Sequence, residues 1–307
     1  MAGRIGIIGM GWVGTSVAIS TLHRGLATEL LVHDVRRDVA EGEAMDLGHG
    51  ALFYSRAARV RTAELEELRD ADAVIIAAGR SGTASETRLD LLRENARLAR
   101  ELGDGLRGAR GVLVMVTNPV DVLTQVLRET TGLPPERVIG TGTMLDTARL
   151  RHEVAHAIDV HPQSVHAQVV GEHGDSAVAL FSSATVGGAP LRDWPGWAPD
   201  AEDGIRTRVR RAAYEIIQRK GATNHAIGLV TAALLAAVLT DERRVLTVSR
   251  VHAAVLDVRG VALSLPAVVG RDGAAEVLEP TLSEVETDQL RHSASVLREA
   301  VRAAGVA

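Results

Sequence analysis

The chain has 307 residues, 46% apolar and 24% charged, with a formal net charge of -5 and no cysteine. That balance is globular rather than disordered, and the length suits two joined lobes better than one core. It excludes the basic footprint of a nucleic-acid binder, and the missing cysteine excludes disulfides, thiolate chemistry and zinc–cysteine centres. The N-terminus lacks signal-peptide architecture, and the most apolar later stretch, 226–240, is too short to span a bilayer. The expectation is therefore a cytoplasmic protein with no membrane partner. In chain order, strands are predicted over 4–8, 29–34, 71–78, 111–116 and 137–140. Helices are predicted from the glycines after the first strand to about Arg24, and over 38–47, 86–102 and 120–130. Alternating strands and helices predict a parallel sheet with helices on both faces. The second half predicts a helix over 145–158, strands over 165–170 and 177–186, then helices over 202–219 and 224–239. Strands over 245–251, 255–258 and 262–269 and a last helix over 283–303 complete an α+β lobe. The stretch 190–200, with two tryptophans and three prolines, reads as a surface loop.

Gly9-Met10-Gly11-Trp12-Val13-Gly14 follows the first strand and opens a helix, and Asp34 lies at the end of the next strand. In a strand–helix turn, the first glycine permits the tight bend. The second lets backbone approach a pyrophosphate at the helix N-terminus, and the third lets helix pack on strand. Asp34 would accept hydrogen bonds from the adenosine ribose and repel a 2′-phosphate, so NAD is favoured over NADP. Arg36 and Arg37 beside it read as solvated loop charges. The fold class expected is a Rossmann-type doubly wound α/β domain over 1–141, followed by an α+β substrate-binding domain over 142–307.

Gly171-Glu172-His173-Gly174-Asp175-Ser176 follows an apolar strand, so His173 sits on backbone able to approach a ligand closely. Asp146 and Arg149, three apart at the start of a predicted helix, share a face. An arginine fork can grip a substrate carboxylate in two places, and an aspartate can hold a histidine tautomer and stabilise its imidazolium. Arg88 stands at the far end of a small-residue loop, 79–85, at a sheet edge, and Asn118 follows another strand end. Both positions reach a crevice at the carboxyl ends of the strands.

The stretches GMGWVG, ETRLDLLREN, VTNPVDVLT, GTGTMLDTARLR, VVGEHGDS, KGATNHAIG and LSLPAVVGRDG occur in this order over about 4–301. Together they resemble the L-lactate/malate dehydrogenase family, closest to its bacterial L-lactate dehydrogenases. The resemblance implies an NAD-dependent L-2-hydroxyacid dehydrogenase that reversibly transfers hydride between NADH and a 2-oxo acid without a metal. It implies His173 as acid/base, Asp146 as its partner, Arg149 as carboxylate clamp, and Arg88 polarising the carbonyl as a loop closes over the site. Asn118 and Thr223 would line the pocket, Asn118 also touching the cofactor, and Ile227 would pack against the nicotinamide. Arg151 and His166 match positions that bind fructose 1,6-bisphosphate across a subunit interface, which implies an allosteric homotetramer. One departure is Gly82, where lactate dehydrogenases usually carry glutamine and malate dehydrogenases arginine. It leaves open a malate dehydrogenase-like enzyme using Arg80 for a second carboxylate, or an enzyme for a bulkier 2-oxo acid. A dinucleotide-binding protein without turnover is the reading from another class, and the intact set Arg88, Asp146, Arg149 and His173 argues against it.

Overall fold

The computed structural model describes residues 2–80, 87–256 and 258–305. Its first half alternates strands and helices: β1 (Gly3–Ile8), α1 (Trp12–His23), β2 (Ala27–His33), α2 (Arg37–His49) and β3 (Arg59–Thr62). Then come β4 (Ala73–Ile76), α3 (Arg88–Gly105), β5 (Val112–Met115), α4 (Val120–Thr131) and β6 (Val138–Gly140). The strands β4, Ala-Val-Ile-Ile, and β5, Val-Leu-Val-Met, are buried at every position, as strands covered on both faces must be. Alternate side chains part to opposite faces. Val74 and Ile76 join a core with α3 and α4, while Ala73 and Ile75 join one with α1 and α2. The six strands run parallel in the order β3-β2-β1-β4-β5-β6. The order reverses beside β1, which opens a crevice at the carboxyl ends of β1 and β4.

The second half comprises α5 (Met144–Ala157), β7 (Val165–Val170), β8 (Val178–Val186), β9 (Ala189–Pro190), α6 (Ala201–Lys220) and α7 (His225–Leu239). It ends with β10 (Arg244–His252), β11 (Val261–Gly270), β12 (Gly273–Val277) and α8 (Glu284–Ala303). Among the described residues these strands form two groups. The antiparallel set β10–β12 extends the first sheet to nine strands, β10 meeting β6 where Ser249 lies opposite Gly140. Strands β7–β9 form a separate antiparallel sheet, covered by α5 and α6 around the buried Phe181. Helix α7 is apolar on nearly every side and packs on α1. The two close at Gly228, where a Cβ would come within 2.6 Å of the Ser16 carbonyl oxygen. Among the described residues no helix is long and apolar enough to cross a membrane.

Two sequence expectations are corrected. No strand forms where 255–258 was predicted: Val255 and Val258 exchange backbone hydrogen bonds in an isolated bridge, with no further strand partner among the described residues. The stretch 190–200 is more than a surface loop: Leu191 is fully buried, and Trp194 and Trp197 pack on the third core, Trp197 at 6.3 Å from the Phe181 ring. Strands β3 and β12 have no counterpart in the sequence reading.

Candidate active site

At the end of β1 the chain turns through Gly9, whose φ of +93° suits glycine, and a Cβ there would lie 2.5 Å from the Ala78 nitrogen. A Cβ on Gly14 would strike the Gly9 carbonyl oxygen, whereas Gly11 faces open space. Gly11 is the N-cap of α1 and offers no side-chain cap, so the first-turn N–H groups keep their capacity for an anion. The Asp34 carboxylate accepts the Met10 N–H at 2.8 Å and the Arg36 N–H at 2.9 Å. It thereby ties the end of β2 to the glycine turn. Oδ2 takes only the Met10 N–H and has room for another bond, while Oδ1 also meets the Arg36 side chain, whose Nε lies 3.5 Å away. A cradle that a single Cβ would fill, an uncapped helix start and a carboxylate with a spare acceptor site together fit a dinucleotide.

His173 lies on the opposite side of the crevice, in the loop after β7. Four elements hold that loop. Gly171 (φ +85°) exchanges hydrogen bonds with Ser264 of β11 at 2.8 and 2.9 Å. The Glu172 N–H donates to Ser293 Oγ of α8 at 2.7 Å, and the His173 N–H donates to Asp121 Oδ2 of α4 at 2.7 Å. The ring Nδ1 lies 2.6 Å from Asp146 Oδ2 of α5. With a carboxylate as partner Nδ1 carries the hydrogen, which leaves Nε2 for the cavity that the ring lines. Arg149 Nη1 donates to the other Asp146 oxygen at 3.0 Å, and both side chains are largely buried. One carboxylate thus joins the histidine to the arginine. Burial works against the imidazolium, but the Asp146 carboxylate prevails and raises the His173 pKa above its ordinary value. Burial also penalises the Asp146 carboxylate, yet His173 and Arg149 hold its pKa below the usual range.

These groups line a cavity of about 380 Å³ together with Arg88, Asn118 and Tyr214. Arg88 is the first residue of α3, where a positive charge opposes the helix dipole. A capping box of Thr87 and Asp90, with the Asp90 N–H donating to Thr87 Oγ1 at 3.1 Å, fixes the helix start in spite of it. Arg88 shares the cavity wall with Tyr214 of α6, whose hydroxyl donates to Asp175 at 3.2 Å. Apolar side chains, among them Leu91, Leu92, Val169 and Val209, form the rest of the wall.

Of the residues singled out in the sequence, His173, Asp146, Arg149, Arg88 and Asn118 therefore share one cavity. Thr223, half-buried between α6 and α7, is not part of its lining, and Ile227 packs against the α1 side of the sheet. Gly82 lies outside the described residues. Arg151 and His166 line a second cavity, of about 410 Å³, with Gln168, Ser183 and Thr185. Burial, and Arg244 nearby, lower the Arg151 pKa. Sequence reasoning missed Asp121, Asn95, Ser293 and Tyr214. The nearly inaccessible Asn95 accepts the Arg80 N–H at 2.9 Å and donates to the Asn118 carbonyl at 3.5 Å, joining two loops of the crevice. The available signal was a polar residue on an otherwise apolar helix face, at Asn95 in α3 and Asp121 in α4.

Comparison with known proteins agrees with this geometry. Residues 3–140 match the lactate/malate dehydrogenase NAD binding domain, and residues 143–305 match the lactate/malate dehydrogenase alpha/beta C-terminal domain. An L-lactate dehydrogenase of Thermus aquaticus is 45% identical, over 98% of this chain and 99% of its own. One from Synechococcus sp. (strain JA-3-3Ab) is 43% identical, over 96% of this chain and 97% of its own. The crystal structure of a lactate dehydrogenase from a Medee basin deep-sea metagenome library superposes with a TM-score of 0.96 at 37% identity, covering 99% of both chains. The chain belongs to the lactate/malate dehydrogenase family, and its N-terminal part carries that family's NAD-binding domain.

Proposed function

We propose that the protein is an NAD-dependent L-lactate dehydrogenase that reversibly reduces pyruvate, a 2-oxo acid, to the 2-hydroxy acid. The observation that carries this is the single carboxylate of Asp146, 2.6 Å from the His173 ring and 3.0 Å from Arg149 at the wall of one cavity. The pairing sets a proton donor beside a carboxylate receptor, as reduction of a 2-oxo acid requires. Arg149 takes the substrate carboxylate by a two-point grip. Arg88 polarises the ketone oxygen and Asn118 flanks it, with Thr223 outside the cavity lining. His173, kept charged by Asp146, gives its Nε2 proton to that oxygen and recovers it in the reverse direction. Gly9 makes the turn, Gly11 leaves room for the pyrophosphate and Gly14 lets α1 pack closely, while Asp34 would hold the adenosine ribose and Asn118 and Ile227 the nicotinamide end. The bound nicotinamide supplies or accepts the hydride at the substrate carbon. Residues 1–141 serve the cofactor and 142–307 the substrate, and the enzyme draws on the cytoplasmic NADH pool. Gly82 remains the candidate for the substrate-discriminating position.

The test is NADH oxidation with pyruvate, oxaloacetate and bulkier 2-oxo acids, in the wild type and in His173→Asn. Pyruvate should be reduced preferentially, and His173→Asn should lower turnover by about 10² to 10⁴ with NADH binding retained. Preference for oxaloacetate would move the assignment to malate. Absence of oxidation with every acid would leave a dinucleotide-binding protein.

We also infer a homotetramer that binds fructose 1,6-bisphosphate at Arg151 and His166. Two cation-capable groups in one cavity support it, as do the exposed apolar side chains of Trp12, Met45, Leu52, Phe53 and Leu229, which suit burial between subunits. Light scattering should give four chains, and the sugar bisphosphate should lower the KM for pyruvate in the wild type and not in Arg151→Gln. A monomer, or kinetics indifferent to the effector, would refute it.

A further inference from the structure

Beneath His173 lies a buried ionisable group that the reaction as described leaves without a part. Asp121, in the first turn of α4, is 2% exposed. Its Oδ2 accepts the His173 backbone N–H at 2.7 Å. Among the described residues its Oδ1 has no hydrogen-bond partner, although the Ser249 hydroxyl of β10 stands close enough to favour the carboxylate form. Isolated charges are rarely buried unless something nearby needs them. An amide at this position would satisfy the N–H without the cost of burying a charge. What the carboxylate adds is a second negative charge beneath the histidine.

We propose that Asp121 is a positioning residue for the reaction, which fixes the His173 backbone and, by its charge, supports the imidazolium jointly with Asp146. Asp146 acts on the ring edge at Nδ1 and is shared with Arg149, whose positive charge works against the imidazolium. Asp121 approaches from α4, on the backbone side, and has no arginine partner among the described residues. Its attraction for His173 accordingly offsets part of the repulsion from Arg149. The other charged groups around the ring come from three elements: Arg88 of α3, Arg206 and Arg210 of α6, and Glu172 and Asp175 of its own loop. Tyr214 of α6 also faces the cavity. The groups facing Asp121 are His173, Glu172 and Ser249, and Glu172 disfavours its ionisation. Burial pushes the Asp121 pKa up to about 6, still low enough for the carboxylate to be charged at neutral pH.

This inference rests on His173 being the proton donor, and the experiment separates the two. The pH profile of kcat/KM for pyruvate, at saturating NADH, is measured in the wild type, Asp121→Asn, Ser249→Ala and His173→Asn. Folding of each is checked by its melting temperature and NADH binding. In Asp121→Asn the carboxamide oxygen can still accept the His173 N–H, so only the charge is lost. On the acid plateau kcat/KM should stay within about twofold, and on the alkaline limb it should fall about three- to tenfold, because the limb moves to lower pH. Ser249→Ala should move the limb the same way by less. The second readout is the His173 titration followed by NMR of labelled histidine, which should move in parallel. An unmoved limb and an unmoved His173 titration in Asp121→Asn would overturn the role of the charge, even if activity fell evenly at all pH values. A limb that persists in His173→Asn would instead overturn the assignment of the proton donor.

Discussion

Asp146 bonds both His173 and Arg149, so one substitution there reaches two functions. Asp146→Asn keeps a hydrogen-bond acceptor but removes the charge, and it frees Arg149 from its partner. We expect kcat/KM for pyruvate to fall by about 10² to 10⁴, and its alkaline limb to move to lower pH. The sign follows from the roles: reduction needs protonated His173, the wild-type pKa is raised, and without the carboxylate the proton leaves sooner. Steady-state kinetics against pH reads both effects. A second titration affects stability instead. The His252 ring of β10 bonds the Leu263 carbonyl at 3.0 Å, and burial lowers its pKa to about 4. An unfolded histidine titrates near 6.5, so between those values the unfolded chain binds a proton that the folded chain refuses. This contribution is therefore present above the unfolded value and is lost as pH falls through the window. His252→Gln should flatten the fall in melting temperature with acid relative to wild type, and parallel curves would contradict it. At this scale the sequence was legible where partners are close along the chain, as for Asp146 and Arg149, or where a glycine-flanked histidine stands out. Asp121 and His173, 52 positions apart, meet only because α4 and β7 converge on β11, which no local spacing records.

Helix starts and strand ends carry most of the site. Thr87 caps α3 at the residue before Arg88, so Thr87→Ala should cost about 1 kcal/mol of stability and displace Arg88. The expected signature is a loss in kcat for pyruvate with NADH affinity unchanged, because the nucleotide cradle lies on α1. Gly14→Ala should do the reverse. Its Cβ meets the Gly9 carbonyl, so the turn must open, NADH should bind at least tenfold more weakly, and stability should fall by about 1–3 kcal/mol. Calorimetric titration with NADH distinguishes the two variants. The elements that sequence reasoning overlooked are instructive. Strands β3 and β12 are the outermost strands of the large sheet, and β3 reads Arg-Val-Arg-Thr with only partial burial. A short edge strand has one hydrogen-bonded neighbour and little buried side-chain area, so backbone pairing defines it without an apolar pattern. Val255 and Val258 show the converse, since these apolar residues pack against the core without belonging to a strand.

Across the whole molecule the two halves are joined at several points rather than tethered. Helix α7, from the second half, covers α1 of the first, and β10 lies along β6. A fragment of residues 1–141 would retain the glycine turn, yet it would expose the apolar surfaces that α7, α8 and β10 bury. We expect it to aggregate or to lack a cooperative thermal transition, and not to bind NADH measurably. A soluble fragment with wild-type NADH affinity would show that the halves are separable.

The continuity of the nine-stranded sheet has a consequence for how such an enzyme can change. Because β10 pairs with β6 at Ser249 and Gly140, one sheet runs through both halves, and the loop that carries His173 is tied to that sheet through Gly171 and Ser264 of β11. The rim offers positions outside that frame, on the cavity-facing side of α6, at Val209 and Ala213. Those positions are free to be retuned for a different acid while the proton-transfer apparatus beneath them stays untouched, so selectivity and chemistry can drift independently.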